Sequence, residues 1–228
     1  MADQDLTILE NVKTWLPIST TNNADDGSLM RLITAVSMDF MRATRRPDLL
    51  LADYTEVHQG DGGTRLVLFH WPIASIDTLT IGGVTIPKSA DKVAAGFYVD
   101  QDIDPERVWQ IYLNGYTFLD GAAVQAGYSA GYVQPGQGLQ GGQIALPADI
   151  EQAVIDWIGY RYKGRPNVGV TMRKSSEGES VQPEQVDAPP NVLQVIERYR
   201  RELPSVDRRG DDRAERMTRA GARALRQR

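Results

Sequence analysis

Residues 28–44, SLMRLITAVSMDFMRAT, constrain this chain more than any other stretch. Leu29, Leu32, Ile33, Val36, Phe40 and Met41 recur at three- and four-residue steps, which puts them on one face of a helix, while Arg31, Thr34, Asp39 and Arg42 fall largely elsewhere. A face of that width has to be covered, and no short neighbour covers it alone. The pattern therefore predicts that helices over 7–16, 148–163 and 190–203 gather around it. Residues 53–133 then become a strand-rich insertion between the second and third helices.

The flanking helices carry their own start and stop signals. Thr7 and Glu10 have the spacing of a capping box, Leu9, Val12, Trp15 and Leu16 supply a buried side, and Pro17 ends the segment. Asp25 or Asp26 is placed to cap the organising helix, and Arg46-Pro47 marks its end, because proline disfavours helical geometry in the residue before it. Pro147 suits the start of the third helix, Ile150, Val154, Ile155, Ile158 and Tyr162 form its face, and Gly164 with Pro166 closes it. Pro189-Pro190 opens the fourth, with Val192, Leu193, Val195, Ile196 and Tyr199 for packing and Pro204 beyond.

After Leu51 the apolar period falls to two. Tyr54–His58 and Arg65–Trp71 read as strands joined in a hairpin by Gly60-Asp61-Gly62-Gly63, with Leu66, Leu68 and His70 on one side. Ile73–Ile81 and Val84–Ile86 flank the turn Gly82-Gly83 as a second hairpin. Gly96–Val99, Val108–Leu113 and Ala122–Tyr128 complete six or seven strands, and no segment among them is long enough for crossover helices, so antiparallel pairing is expected. Gly131–Gly142 reads as a flexible return. The fold class is thus α+β: a four-helix core body, 1–50 and 143–205, with an inserted antiparallel β-sandwich or small barrel module, 51–142. A polar arm at 164–189 and a C-terminal basic helix or tail at 206–228 complete the organisation.

Charge is distributed unevenly. The chain has a formal charge of −5, yet from Val206 onward eight arginines face four acids, a tail of +4 that leaves −9 on the first 205 residues. That balance argues against bulk nucleic-acid binding by charge but not against a local patch. The only large apolar residues after Val206 are Met217 and Leu225, so the tail cannot build much core of its own and is expected to be disordered alone and to become helical when docked on an acidic partner. There are no cysteines, which excludes disulfides, thiolate catalysis and thiolate metal sites. Neither an export signal nor a membrane span is read, and the product is expected to be soluble when made in the cytoplasm.

The search for chemistry gives no active site. Gly136-x-Gly138-x-x-Gly141 matches the dinucleotide-binding string, but six residues intervene before the next helix and no βαβ unit surrounds it, so it reads as a loop. Asp100, Asp102, Asp104 and Glu106 resemble the start of a calcium loop, with Pro105 where glycine is needed and Ile111 where a bidentate glutamate is needed; a solvated turn is expected. His58 and His70 read as a cross-sheet pair or semi-buried polar residues. Asp53 with Glu56, or Glu106 with Asp120, are the acid pairs one could nominate. Arg42, Arg45, Arg46, Arg161, Lys163, Arg165 and the basic pair at 173–174 are candidates for nucleic acid, explained about as well by cations at solvated helix ends. Trp71, Trp109, Trp157, Tyr112 and Tyr160 read as core or interface anchors. Neither a cofactor nor a metal is expected, and a binding or assembly role is favoured.

Five segments in order, LTILENVKTWL (6–16), SLMRLITAVSMDFMRATRRP (28–47), LVLFHWPIASIDTLTIGG (66–83), LPADIEQAVIDWIGYRYKGR (146–165) and DAPPNVLQVIERYRREL (187–203), resemble the head-tail connector, or adaptor, proteins of tailed bacteriophages and prophages. The resemblance covers about residues 5–205, and residues 53–133 depart from its smaller, almost wholly helical members. It implies a virion protein of the neck that performs no chemistry. Such a protein forms a ring, typically of twelve copies, under the portal protein, extends the DNA channel, and presents a surface to a stopper or tail completion protein. Genomic DNA would pass without sequence-specific binding and no membrane would be involved. By similarity to family members with a C-terminal portal-embracing helix, Arg208, Arg209, Arg213, Arg216, Arg219, Arg223, Arg226 and Arg228 become candidate contacts to the portal or a neighbouring subunit. Arg173, Lys174, Glu177 and Glu179 mark a candidate assembly arm. The competing readings are a tail-side completion or terminator protein, and a carbohydrate- or peptide-binding module using Trp71, Trp109 and Tyr112.

Overall fold

The computed structural model describes residues 4–100, 109–165, 173–174, 180–181 and 188–201. Four helices, α1 (Leu9–Trp15), α2 (Asp26–Ala43), α3 (Ala148–Gly164) and α4 (Pro190–Tyr199), surround one apolar core. As the periodicity requires, α2 buries Leu29, Ile33, Val36, Phe40 and Met41, with Leu32 partly covered. α1 and α3 pack on it, and α4 packs on α3. Leu16 seats against Gly159 of α3 at a distance that leaves little room for a larger residue there.

The ends of the helices depart from the expected capping. Thr7 does not bond across a capping box; its hydroxyl donates to Glu151 Oε1 on α3 at 3.0 Å, and Asn11 Nδ2 donates to the same oxygen at 2.7 Å. Nor does Asp25 or Asp26 cap α2 with its side chain. Asp25 accepts from Tyr162 Oη at 2.8 Å, and Asp26 pairs at 2.6 Å with Lys13, whose ammonium is buried under the 20–26 loop. In each case the partner lies on another helix, so these groups join helices instead of closing one. Trp15, expected inside, is 56% exposed. α4 ends at Tyr199, after which Arg200 is extended and the Arg201 N–H donates to the Thr44 carbonyl at 2.8 Å.

Among the described residues, seven strands form the two sheets of the inserted part: β1 (Ala52–Gln59), β2 (Arg65–Val67), β3 (Ile73–Ile81), β4 (Val84–Thr85), β5 (Gly96–Val99), β6 (Gln110–Asn114) and β7 (Ala123–Ala130). They make two antiparallel sheets, β1-β7-β3-β4 and β2-β6-β5, that share a second apolar core including Ile73, Leu79, Phe97, Ile111, Val124 and Ala126. Neither sheet closes on itself among the described residues.

The β3–β4 hairpin forms as expected around Gly82 and Gly83, both at positive φ. The first predicted hairpin does not form: β1 pairs with β7 and β2 with β6, and the strand begun at Arg65 stops at Val67. The Gly60–Gly63 turn bonds instead to residues 118–122, through Gly60 N to Ala122 O and Gly62 N to Phe118 O, so the chain leaves one sheet there and enters the other.

The return from the β module is ordered at its start. β8 (Tyr132–Val133) runs parallel to β9 (Ile144–Ala145), and Tyr132 belongs to the helical core. Gly131, at φ 112°, makes the corner between β7 and β8, where a Cβ would strike the Leu50 carbonyl. Arg173–Lys174 and Ser180–Val181 form a two-residue antiparallel ladder, β10 and β11.

Candidate functional site

The densest polar constellation lies where the helical body meets the β module, and the connection 68–72 between β2 and β3 is its hub. Alternation on β1 turns Tyr54, Glu56 and His58 inward beneath this connection while Asp53 and Val57 face out. The buried Glu56 carboxylate accepts from His58 Nε2 at 2.7 Å, from His70 Nδ1 at 2.8 Å, from the Phe69 N–H at 3.2 Å and from the Tyr128 hydroxyl. Burial pushes this carboxyl up, but the donors Tyr128, His58, Phe69 and His70 outweigh it and hold it below the ordinary glutamate range. Burial and the facing carboxylate push the Tyr128 phenol far up. The His70 ring lies flat on Tyr54, centroids 3.8 Å apart, and its Nε2 is 3.8 Å from Asp48 Oδ2.

Two residues along, Trp71 meets the end of α2. Arg46 is 1% exposed; its guanidinium lies 3.6 Å from the centroid of the Trp71 ring and donates through Nη2 to the Trp71 carbonyl at 2.6 Å. The Tyr132 ring centroid lies 5.6 Å from the same guanidinium. Burial lowers the Arg46 pKa, opposed by Tyr132 and Asp48, and a guanidinium remains charged under such a shift. Asp48 Oδ2 is in turn 4.0 Å from Arg201 Nη1, so a line of polar side chains runs from Glu56 through His70 and Asp48 to the point where the chain leaves α4. The contacts that join the two cores are those of Arg46 with Trp71 and of Asp48 with His70, while Glu56 gathers donors from within the module.

The residues singled out in the sequence are distributed as follows. His58 and His70 are brought together, by Glu56, although His70 stands in a connection and not in a strand. Arg46 is neither a nucleic-acid contact nor a solvated helix end, because it is buried; Arg42 and Arg45 are exposed. Arg161 pairs with Asp39 at 2.8 Å over the Trp157 ring, and Arg165 with Asp25. Trp157 is a core residue, the Trp71 face is covered by Arg46 and its ring meets Trp109 edge-on, and Tyr112 stacks on Tyr98. Asp53 bonds Ser129 on the outer face and is not paired with Glu56. Gly136, Gly138 and Gly141 lie in the loop between β8 and β9. Asp102, Asp104 and Glu106, the candidate arm residues Glu177 and Glu179, and all eight tail arginines lie outside the described residues; of Arg173 and Lys174 the backbone pairing alone is described.

Among the described residues no group of three or more acidic or histidine side chains could hold a metal ion, and no helix is long and apolar enough to cross a membrane. Sequence reading missed Asp48, Tyr128 and Lys13, and gave Arg46 a surface role in place of its buried one. The one available signal was that three polar or aromatic residues, Tyr54, Glu56 and His58, occupy the alternate positions of a strand where apolar ones were due.

No family model and no curated protein matches this sequence. Solved structures that share its fold include two chains of gene transfer agent particles. A chain in the neck of an empty gene transfer agent particle, computed with C6 symmetry, is 21% identical with a TM-score of 0.51, the match covering 88% of this chain and 93% of that one. A chain in the virion of the native gene transfer agent particle is 20% identical with a TM-score of 0.50, again over 88% of this chain and 93% of that one.

Proposed function

We propose that this chain is a structural component of a phage-type neck, a head-tail connector that assembles as a ring below the portal protein. The observation that carries the reading is the fold it shares, over 88% of its length, with a chain of a gene transfer agent neck, in a protein whose ordered segments already resemble adaptors. The role is structural and contains no catalytic step. In this reading the helical body, 1–50 and 143–205, forms the ring wall, in twelve copies, and the β module, 51–142, stands off it. The acidic balance of the first 205 residues, −9, lets DNA slide through the lumen without the counterion release that tight phosphate binding brings.

The tail, 206–228, supplies the portal-side contact through its arginines, and the arm around Arg173, Lys174, Glu177 and Glu179 engages a neighbour or the stopper. Co-sedimentation of the protein with its cognate portal rings tests this. The full chain is expected to sediment with the portal, and a chain lacking 207–228 is expected to lose most of that binding. Binding unchanged by the deletion would remove the tail from the contact. Binding to a tail-tube preparation in place of the portal would move the protein to the tail side of the neck.

A further inference from the structure

At the end of the β module farthest from the junction lies an open groove of about 800 Å³. Its floor is Ile81, Ile86 and Leu113, all buried, and its walls are Tyr116, Val84 and Leu119, the last two 64% and 58% exposed. None of its lining residues is charged. The Gly60–Gly63 turn, bonded to Phe118 and Ala122, lies beside Asp120, and Thr64 and Leu119, which follow Asp61 and precede Asp120 in the chain, line the groove. Over its described residues the module has seven acidic against three basic side chains. The groove is therefore a largely apolar slot on a module of acidic balance, of a volume that suits a few side chains.

One segment of the same chain has the complementary chemistry. Between Asp207 and Arg228 the only large apolar residues are Met217 and Leu225; at helical spacing Ala214, Met217, Gly221 and Ala224 share a face with Leu225 beside it, and arginines occupy the flanks. The segment carries eight arginines against four acids. It is also within reach. The chain leaves α4 at Arg201, fixed to Thr44 at the junction, and β1 and β7 each span eight residues from there to the groove, roughly 26 Å at the rise of a strand. Residues 202–212 extend to about 36 Å, enough to set Met217 over the slot.

We infer that in the free protein this groove receives residues 207–228 of its own chain, with Met217 and Leu225 against Val84, Tyr116 and Leu119 and arginines beside Asp61 and Asp120. The groove then holds the segment that the neck reading sends to a partner, and assembly draws it away. The inference concerns the unassembled protein and stands or falls independently of portal binding.

Hydrogen exchange on the full chain tests it. The double variant M217S/L225S, altered outside both cores, is expected to raise exchange in peptides covering 81–86 and 113–119 by about tenfold while leaving β7 unchanged. Val84→Asp is expected to raise exchange across 207–228 by a similar factor, and about 0.5 M salt to weaken protection in the wild-type protein. Hundredfold dilution leaves the protection in place for a contact within one chain. Equal exchange in the wild type and the double variant at 81–86 and 113–119 would overturn the inference, and protection that vanishes on dilution would overturn its assignment to the same chain. If Val84→Asp unfolds the module, the double variant decides alone.

Discussion

The core of the helical body is built from residues as far apart in sequence as Leu6 and Ile196, whereas the buried core of the β module is drawn from the single run Leu68–Ala130. The first cannot close until both flanks of the insertion have come together. The second has everything it needs between two points of one chain segment. Where they meet, the body contributes Arg46, Asp48 and Tyr132 and the module contributes Glu56, His70, Trp71 and Tyr128, so the seam is polar and aromatic while both interiors are apolar. A polar seam favours one relative orientation, because a directed bond such as Arg46 Nη2 to the Trp71 carbonyl is lost on sliding, whereas an apolar seam would tolerate it.

The comparison can be broken most forcefully from inside the body. Phe40→Ala removes a fully buried ring from α2 and is expected to cost about 3–5 kcal/mol in chemical denaturation. If the module's core is self-sufficient, amide protection in β7 persists in that variant while protection in α3 falls. Parallel loss in both would mean a single cooperative unit.

The seam comes next. Arg46→Met deletes the guanidinium over Trp71 and leaves the Trp71 carbonyl without its donor, an expected loss of about 2–4 kcal/mol accompanied by a change in tryptophan emission. Glu56→Gln keeps the shape and removes the charge that four donors converge on, with an expected loss of about 1–3 kcal/mol at neutral pH.

The pH dependence of that difference has a definite sign. The folded-state carboxyl lies below its unfolded value, so its contribution is fully present above the unfolded pKa of about 4.3 and disappears as pH falls through the lower folded value. The stability gap between wild type and Glu56→Gln is therefore expected to shrink on acidification below about pH 4, followed by urea denaturation across that range. A gap that widens there would contradict the assignment. The smallest effect belongs to the surface: Arg161→Ala, which loses the Asp39 pair and the contact over Trp157, is expected to cost about 0.5–1 kcal/mol and less at high salt.

How much was legible in the sequence follows the same division. The body's buried face was readable from α2 alone because helical period and core position are one property, and Leu29, Ile33, Val36, Phe40 and Met41 all turn inward. The seam was not, because its bonds join residues 14, 25 and 72 positions apart and no local rule pairs them. Thr7 and Glu10 show the opposite failure, in which a correct local motif is outbid by Glu151 on another helix. The Gly60–Gly63 turn misled for a related reason: glycines that suit a hairpin equally suit a corner where the chain changes sheets, and only the bonds to 118–122 distinguish the two. The groove at the module's tip was unreadable for want of any sequence pattern, since Val84 comes from the β3–β4 hairpin and Tyr116 and Leu119 from the connection between β6 and β7. The tail, 206–228, is a reading from composition that falls outside the described residues.

The measurement that bears most directly on the neck assignment is electron microscopy of the purified protein mixed with its cognate portal rings, with tail tubes as the control partner. The account predicts a closed ring of added density at the channel exit, sharing the portal's rotational symmetry, with the helical bodies forming the wall. Bare portal rings, or density on the tubes alone, would contradict it.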